Sequence, residues 1–281
     1  MRDISFEQIE ELVAELSVKA SKELPCSLCE TIASAKEKEP QGLGEEILGD
    51  ICANIDAAKE LDIPVCQDTG MAVVFVEIGQ DVHITGGLLS DAINAGIAKG
   101  YEEGYLRKSI VCDPLKNRTN TGNNTPAVIH LTTTFGDKLK FSVCPKGFGS
   151  ENMSQLKMMT PFATEDDIVD FVKIVVTDAG SNPCPPIVVG VGLGGDFESC
   201  AILSKKALCR DVSIRNSDPY YRDLEDRLLK EINSLGIGPQ GFGGETTALA
   251  VNIEVAPTHI AGLPVAVNIG CHVTRHAEGV L

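Results

Sequence analysis

Cys66 sits in Pro64-Val65-Cys66-Gln67-Asp68-Thr69-Gly70, immediately before the apolar run Met71-Ala72-Val73-Val74-Phe75-Val76. A thiol is followed at once by an amide, a carboxylate, a hydroxyl and a glycine. A soft metal ligand thus stands beside groups able to hold a polar substrate and move a proton. Two more cysteines lie in similar turns, Cys184 in Ser181-Asn182-Pro183-Cys184-Pro185-Pro186 and Cys271 in Asn268-Ile269-Gly270-Cys271-His272. Three isolated thiols are the number that holds an iron–sulfur cluster with one iron left open. An open iron can bind substrate, whereas a cluster with four cysteine ligands passes electrons.

Other groups could take part. His259 follows Pro257-Thr258 in a loop between expected strands, and His272 and His276 flank the Cys271 turn. A loop histidine is a better acid–base or hydrogen-bonding candidate than His83 or His130, which fall within strand patterns and read as structural. Arg107 and Lys108 alone would be a solvated pair. In so acidic a chain, an arginine near glycine-rich turns suits a carboxylate clamp, because its planar fork makes two bonds at once. Gly190, Gly192 and Gly195 satisfy the G-x-G-x-x-G spacing of a dinucleotide site, but no clear ribose-binding acid follows. That segment reads as a tight strand-to-helix turn with close backbone packing. Cys26-x-x-Cys29 lacks the second pair or the histidines of a zinc site and reads as structural.

The elements that must position these groups follow from periodicity. Residues 4–60 read as helices, with Ile47, Ile51 and Ile55 four apart. Residues 71–78 read as a buried strand, 81–85 as its hairpin partner and 88–101 as an amphipathic helix. Strands are expected over 109–112, 127–135 and 138–144, with an Asn/Thr/Gly loop over 117–126. Gly147 to Asn152 opens a helix with Ser150 as its N-cap. Helices are expected over 165–178, 197–208 and 221–235, and strands over 187–191, 246–255 and 264–269. The whole is an α/β chain with mixed sheets, hairpins and a helical N-terminal part, read as one domain over 1–281.

The 281 residues carry a net charge of −16, which disfavours nucleic acid. There is no signal-like or membrane-length apolar run. Ten cysteines without a secretory signal point to a reducing cytoplasm. Tryptophan is absent, so the core should be Val, Ile, Leu and Ala.

Taken together, Cys66-Gln67-Asp68-Thr69-Gly70, Gly149-Ser150-Glu151-Asn152, Ser181-Asn182-Pro183-Cys184-Pro185 and Gly236-Ile237-Gly238-Pro239-Gln240-Gly241 resemble the class I (iron–sulfur) fumarase family. So do Pro257-Thr258-His259 and Cys271-x-x-x-Arg275-His276-Ala277. The family contains fumarate hydratases, L(+)-tartrate dehydratases and mesaconases. The resemblance implies a [4Fe–4S] cluster on Cys66, Cys184 and Cys271. It also implies an α subunit working with a separate β subunit, which brings the catalytic base, in an α2β2-type assembly. One departure stands out: relatives tend to have Thr after the Gly194-Gly195 pair, where this chain has Asp196, which favours a helix N-terminus and disfavours an anion there.

The expected reaction is reversible hydration of a carbon–carbon double bond beside a carboxylate of a small dicarboxylate. Asp68 would protonate or orient the leaving hydroxyl. Gln67 and the Gly149 amide would bind carboxylate oxygens, Arg107 a second carboxylate, and His259 would hold a carboxylate or tune Asp68. Fumarate hydratase is the first expectation and L(+)-tartrate dehydratase the alternative. A non-catalytic iron–sulfur sensor or electron carrier is the reading from another class, and it would call for four protein ligands and no polar substrate shell.

Overall fold

In the computed structural model, which describes residues 1–281, the chain begins with β1 (Arg2–Ser5), α1 (Phe6–Lys22), α2 (Cys26–Lys38), α3 (Leu43–Leu61), β2 (Met71–Gly79), β3 (Val82–Thr85) and α4 (Leu89–Glu103). It continues through β4 (Val128–Thr134), β5 (Leu139–Lys146), α5 (Phe148–Glu151), β6 (Gln155–Met159), α6 (Glu165–Ala179), β7 (Ile187–Gly195) and α7 (Phe197–Ala207). It ends with α8 (Pro219–Asn233), β8 (Ala248–Thr258), β9 (Leu263–Gly270) and β10 (Ala277–Val280). The α/β class, the mixed sheets and the N-terminal helices are as expected. The chain divides into two units, one of Met1–Leu24, Ala58–Phe148 and Arg275–Leu281, the other of Pro25–Ala57 and Gly149–Thr274.

The first unit is built on a four-stranded sheet of order β10-β5-β2-β4, with β2 parallel to β4 and antiparallel to β5. The continuous apolar run of β2 suits a strand covered on both faces. Val74, Val76, Phe141 and Val143 pack with Ile9, Val13 and Leu16 of α1 and Ile93, Ile97 and Tyr101 of α4. Ser5 caps α1 in a reciprocal box with Gln8. That cap ends a short strand, so residues 2–5 are extended where the helical reading began at 4. Residues 82–85 do form a strand but not the hairpin partner of β2. Both edges of β2 are taken by β4 and β5, so β3 pairs in parallel with β1 instead, Arg2 opposite Val82. The strand expected over 109–112 is reduced to a single bridge, Val111 to Asn120, where the loop closes on itself.

The second unit carries a sheet of order β6-β9-β7-β8. β7 is its buried centre, parallel to β8 and antiparallel to β9. One face presents Val189 and Val191 to Val172, Val175 and Val176 of α6 and to Leu224, Leu228 and Ile232 of α8. The other face is Gly190 and Gly192. A Cβ on Gly190 would collide with the Ser204 carbonyl, and one on Gly192 with the Cys200 carbonyl, both on α7. The glycine fingerprint therefore lets a helix lie directly on the strand, as the packing reading expected. Asp196 caps α7, its carboxylate accepting from the Ser199 amide at 2.8 Å.

The helix expected from Gly147 onward is one turn, with Ser150 inside it rather than at its cap. The chain then extends into β6 along the open edge of β9, a strand the sequence reading missed, as it missed β10. No helix is long and apolar enough to cross a membrane.

Candidate active site

In the first unit the Cys66–Gly70 loop joins α3 to β2 and is held by groups on every side. Ahead of it, the Val65 amide donates to the Ser21 carbonyl at 3.1 Å. Behind it, the Tyr101 hydroxyl, fully buried on α4, donates to the Thr69 carbonyl at 2.6 Å and lies 3.3 Å from the Gly70 carbonyl. Burial raises the Tyr101 phenol well above its ordinary value, so it remains a donor. Asn124, also fully buried, donates to the Gly70 carbonyl at 3.1 Å and accepts from the Ser109 amide at 2.7 Å. The Thr69 hydroxyl donates to the Arg107 carbonyl at 3.0 Å. Thr69 and Asn124 thus rope the 107–109 segment to the loop. Gly70 permits the approach: it has φ +72, and a Cβ there would fall 2.6 Å from the Lys146 backbone.

These anchors fix the reactive groups. Asp68 is half-buried, and its two oxygens accept from backbone amides, Oδ1 from Gly70 at 3.0 Å and Oδ2 from Phe148 at 2.9 Å. The carboxylate is thereby held in one orientation. The half-buried Cys66 Sγ lies 3.2 Å from Oε1 of the exposed Gln67. The Arg107 side chain is exposed beside the loop and carries no ion pair, which leaves its fork open to a ligand. Of the expected groups, Cys66, Gln67 and Asp68 share one loop, and the Arg107 backbone is tied to it.

In the second unit Cys184 precedes β7 and Cys271 follows β9. Val188 lies opposite Gly270, so both cysteines leave the same end of the sheet. Cys184 occupies the left-handed region at φ +54, uncommon for a residue with a side chain. His272 ties the two turns: its Nδ1 lies 2.9 Å from the Cys184 carbonyl, to which it donates. An Nδ1 that donates has no lone pair for Gln240, so the 3.3 Å Gln240 contact is packing. Gln240 instead donates from its backbone and from Nε2 to the Pro185 carbonyl, each at 2.7 Å, which gives the Gly236–Gly241 motif a structural purpose. Gly149 joins this end too, since a Cβ on it would lie 3.4 Å from the Asn182 carbonyl.

His259 does not. It follows Thr258, which pairs with Gly195 at the other end of β7. Eight strand steps separate that end from Ile187, about 26 Å at roughly 3.3 Å per residue. Its Nδ1 accepts from the Ala261 amide at 3.1 Å, so the neutral ring carries its proton on Nε2.

None of the ten cysteines is in a disulfide. No three His, Cys, Asp or Glu side chains converge to hold a single metal ion; a multi-iron cluster spreads its thiolates over separate corners and does not require such convergence. Cys66, Cys184 and Cys271 are soft donors, half-buried or exposed, on turns at strand ends, a donor set that fits an iron–sulfur group. Cys200 is the contrast. It is fully buried, its thiol donates to the Gly192 carbonyl at 3.2 Å, and burial pushes it up to about 11. Cys26 and Cys29 lie in the first turn of α2, where partial burial, with Cys26 adjacent, raises the Cys29 thiol. Tyr101 and Asn124 were not legible as site residues, because a tyrosine in a helical pattern or an asparagine in a polar loop gives no signal of what its side chain reaches, whereas His272, singled out beside the Cys271 turn, does make a hydrogen bond there.

A sequence model of the fumarate hydratase (fumerase) family matches residues 10–280. A Methanocaldococcus jannaschii protein named "Putative L(+)-tartrate dehydratase subunit alpha" is 39% identical over 275 residues, 96% of each chain. The L(+)-tartrate dehydratase subunit alpha of Escherichia coli (strain K12) is 31% identical over 276 residues, 98% of this chain and 90% of that one. With anchored cysteine loops and a match over nearly its whole length, the chain belongs to the class I fumarate hydratase and tartrate dehydratase α-subunit family.

Proposed function

We propose that this chain is the α subunit of a two-subunit [4Fe–4S] hydro-lyase that removes water from a small hydroxy-dicarboxylate, with L(+)-tartrate ahead of malate. The names of the two relatives support that order and reverse the one expected from the sequence, in which fumarate hydratase came first; the fumarate reading rests on the family description alone. The observation that carries the proposal is the Cys66 loop. A thiol, an amide and an amide-clamped carboxylate share that loop, and the exposed Arg107 is tied to it through its backbone carbonyl, which supports a substrate shell over the surroundings of an electron carrier.

Cys66, Cys184 and Cys271 are the proposed ligands. Bound on them, a cluster with one iron free of protein thiolate supplies a Lewis acid for the substrate hydroxyl. Asp68, unable to turn away because both its oxygens are held, gives its proton to the departing hydroxyl oxygen or orients it. Arg107 grips one substrate carboxylate through its fork; Gln67 and the exposed Gly149 amide hold the oxygens of the other. The proton on carbon goes to a base on the β subunit. His259 stands at the far end of its sheet, so its proposed role toward a carboxylate requires a second α chain, as an α2β2-type assembly would supply.

The test is anaerobic co-expression with the β-subunit reading frame, followed by assay of L- and D-tartrate, malate, fumarate and mesaconate. Turnover should be greatest with L-tartrate and should need both chains. A cluster-loaded complex that turns over none of these, or an α chain fully active alone, would overturn the reading; a preference for fumarate would restore the first expectation.

A further inference from the structure

Arg275 lies in the first unit, four residues after Cys271 in sequence, and is only 5% exposed. Its Nη2 donates to the carbonyl of Asp68. Its Nε is buried and has no hydrogen-bond partner, and no carboxylate pairs with the guanidinium. An unpaired buried charge costs several kcal/mol, so a chain keeps one only where something offsets it. The second unit shows how this chain treats a structural guanidinium: Arg210 pairs with the fully buried Glu225 and also reaches Glu254. Arg275 has no such acid. Its charge acts on the Tyr101 phenol, which it draws down against the larger upward effect of burial, and thus lies among the anchors of the Cys66–Gly70 loop.

We propose that Arg275 is a positioning residue whose buried guanidinium offsets the negative charge of the thiolate-ligated cluster at the Cys66 loop, while its bond to the Asp68 carbonyl sets the loop two residues from that thiol. The proposal rests on the cluster reading above. A cluster held by three thiolates is net negative, and a buried guanidinium with no ion-pair partner is the complement of an anion. The guanidinium is turned away from solvent, whereas Arg107, exposed on the segment tied to that loop, is the group open to an arriving carboxylate.

The test uses the anaerobically reconstituted α/β complex of wild type, Arg275→Lys, Arg275→Gln and Arg275→Met. Lys keeps the charge, Gln keeps a donor for the Asp68 carbonyl without charge, and Met keeps only the stem. Complex assembly by size-exclusion chromatography and far-UV circular dichroism confirm folding. Two readouts are taken without substrate: the decay of visible absorbance under a ferrous chelator, and the midpoint potential of the cluster. Gln and Met should lose the cluster at least about tenfold faster and shift the reduction equilibrium about tenfold against the more negative state, a fall of about 59 mV for one electron. Lys should recover most of both. Should Met fail to fold, Gln decides alone. Retention and potential within twofold of wild type in Gln, with only KM raised, would place the guanidinium on the substrate and overturn the proposal. Lys behaving as Gln does would reduce Arg275 to a structural fork. Wild type that takes up no cluster would sink the cluster reading and this proposal with it, and is told apart from the other outcomes by its missing absorbance.

Discussion

Tyr101→Phe isolates one anchor of the Cys66 loop. The ring keeps its volume in the core among Ile93, Ile97 and Phe141, so no cavity opens and only an oxygen is lost. That oxygen donates at 2.6 Å to the Thr69 carbonyl, on a residue 2% exposed. The Gly70 carbonyl, 3.3 Å from the same hydroxyl, keeps its bond from Asn124. Thr69 is therefore left with a buried acceptor and no donor, a loss of about 1–3 kcal/mol. A value near 2 kcal/mol is roughly a thirtyfold change in the folded-to-unfolded ratio. Urea denaturation should show a lower midpoint at unchanged slope, because the surface exposed on unfolding is the same. The loop also carries Asp68, so kcat of the α/β complex should fall while the complex still assembles. Combining Tyr101→Phe with Thr69→Val, which cuts the link to Arg107, should show coupling of at least about 0.5 kcal/mol, as expected for groups in one network. A loss under about 0.5 kcal/mol with kcat unchanged would mean the loop is held without Tyr101, and the anchoring argument would be wrong.

The remaining predictions are more direct. Asp68→Asn should lower kcat about 10²–10⁴-fold with visible absorbance intact, whereas Arg107→Lys, which keeps charge and loses the fork, should raise KM mainly; steady-state kinetics of both separate proton handling from grip. Serine at Cys66, Cys184 or Cys271 should abolish cluster absorbance after anaerobic reconstitution, and serine at Cys26 or Cys29 should preserve it; the reverse pattern would reassign the ligands. Gly190→Ala puts a methyl into the Ser204 carbonyl and should cost about 1–3 kcal/mol or more, with no change in affinity for dinucleotides. Acid stability should depend on Asp167, whose carboxylate accepts from the Thr164 amide at 2.7 Å and hydroxyl at 2.8 Å and is held below its ordinary 3.8. A depressed value stabilises above the unfolded one and is lost as pH falls through the folded one, so wild type should weaken below about pH 4 and Asp167→Asn should show a flatter acid limb.

Much of the fold could be read from side-chain period. β2 and β7 are continuous apolar runs, and α1, α4 and α6 carry apolar stripes, those of α1 and α6 opening on polar caps. Pairing could not be read that way. Val82–Thr85 has the composition of a strand wherever it docks, and nothing local tells that both neighbours of β2 are already in place, so β3 goes to β1. β6 was missed for a related reason. Gln155-Leu156-Lys157-Met158-Met159 has mostly exposed side chains, and its strand identity comes from the free edge of β9.

The site divides along the same line. Local chemistry was legible, because a cysteine beside Gln, Asp, Thr and Gly is unusual wherever it lies. Direction along the sheet was not. Cys184 and Cys271 are 87 positions apart in number, yet the antiparallel register of β7 with β9 brings them to one end. His259 is only 12 positions before Cys271, yet it is the length of a strand away, because β9 runs the full depth of the sheet between them. Closeness in sequence to Cys271 therefore does not place His259 at the same end of the sheet. A buried arginine without an acid, such as Arg275, can be recognised only after the fold is known, and it is then the more informative of the two.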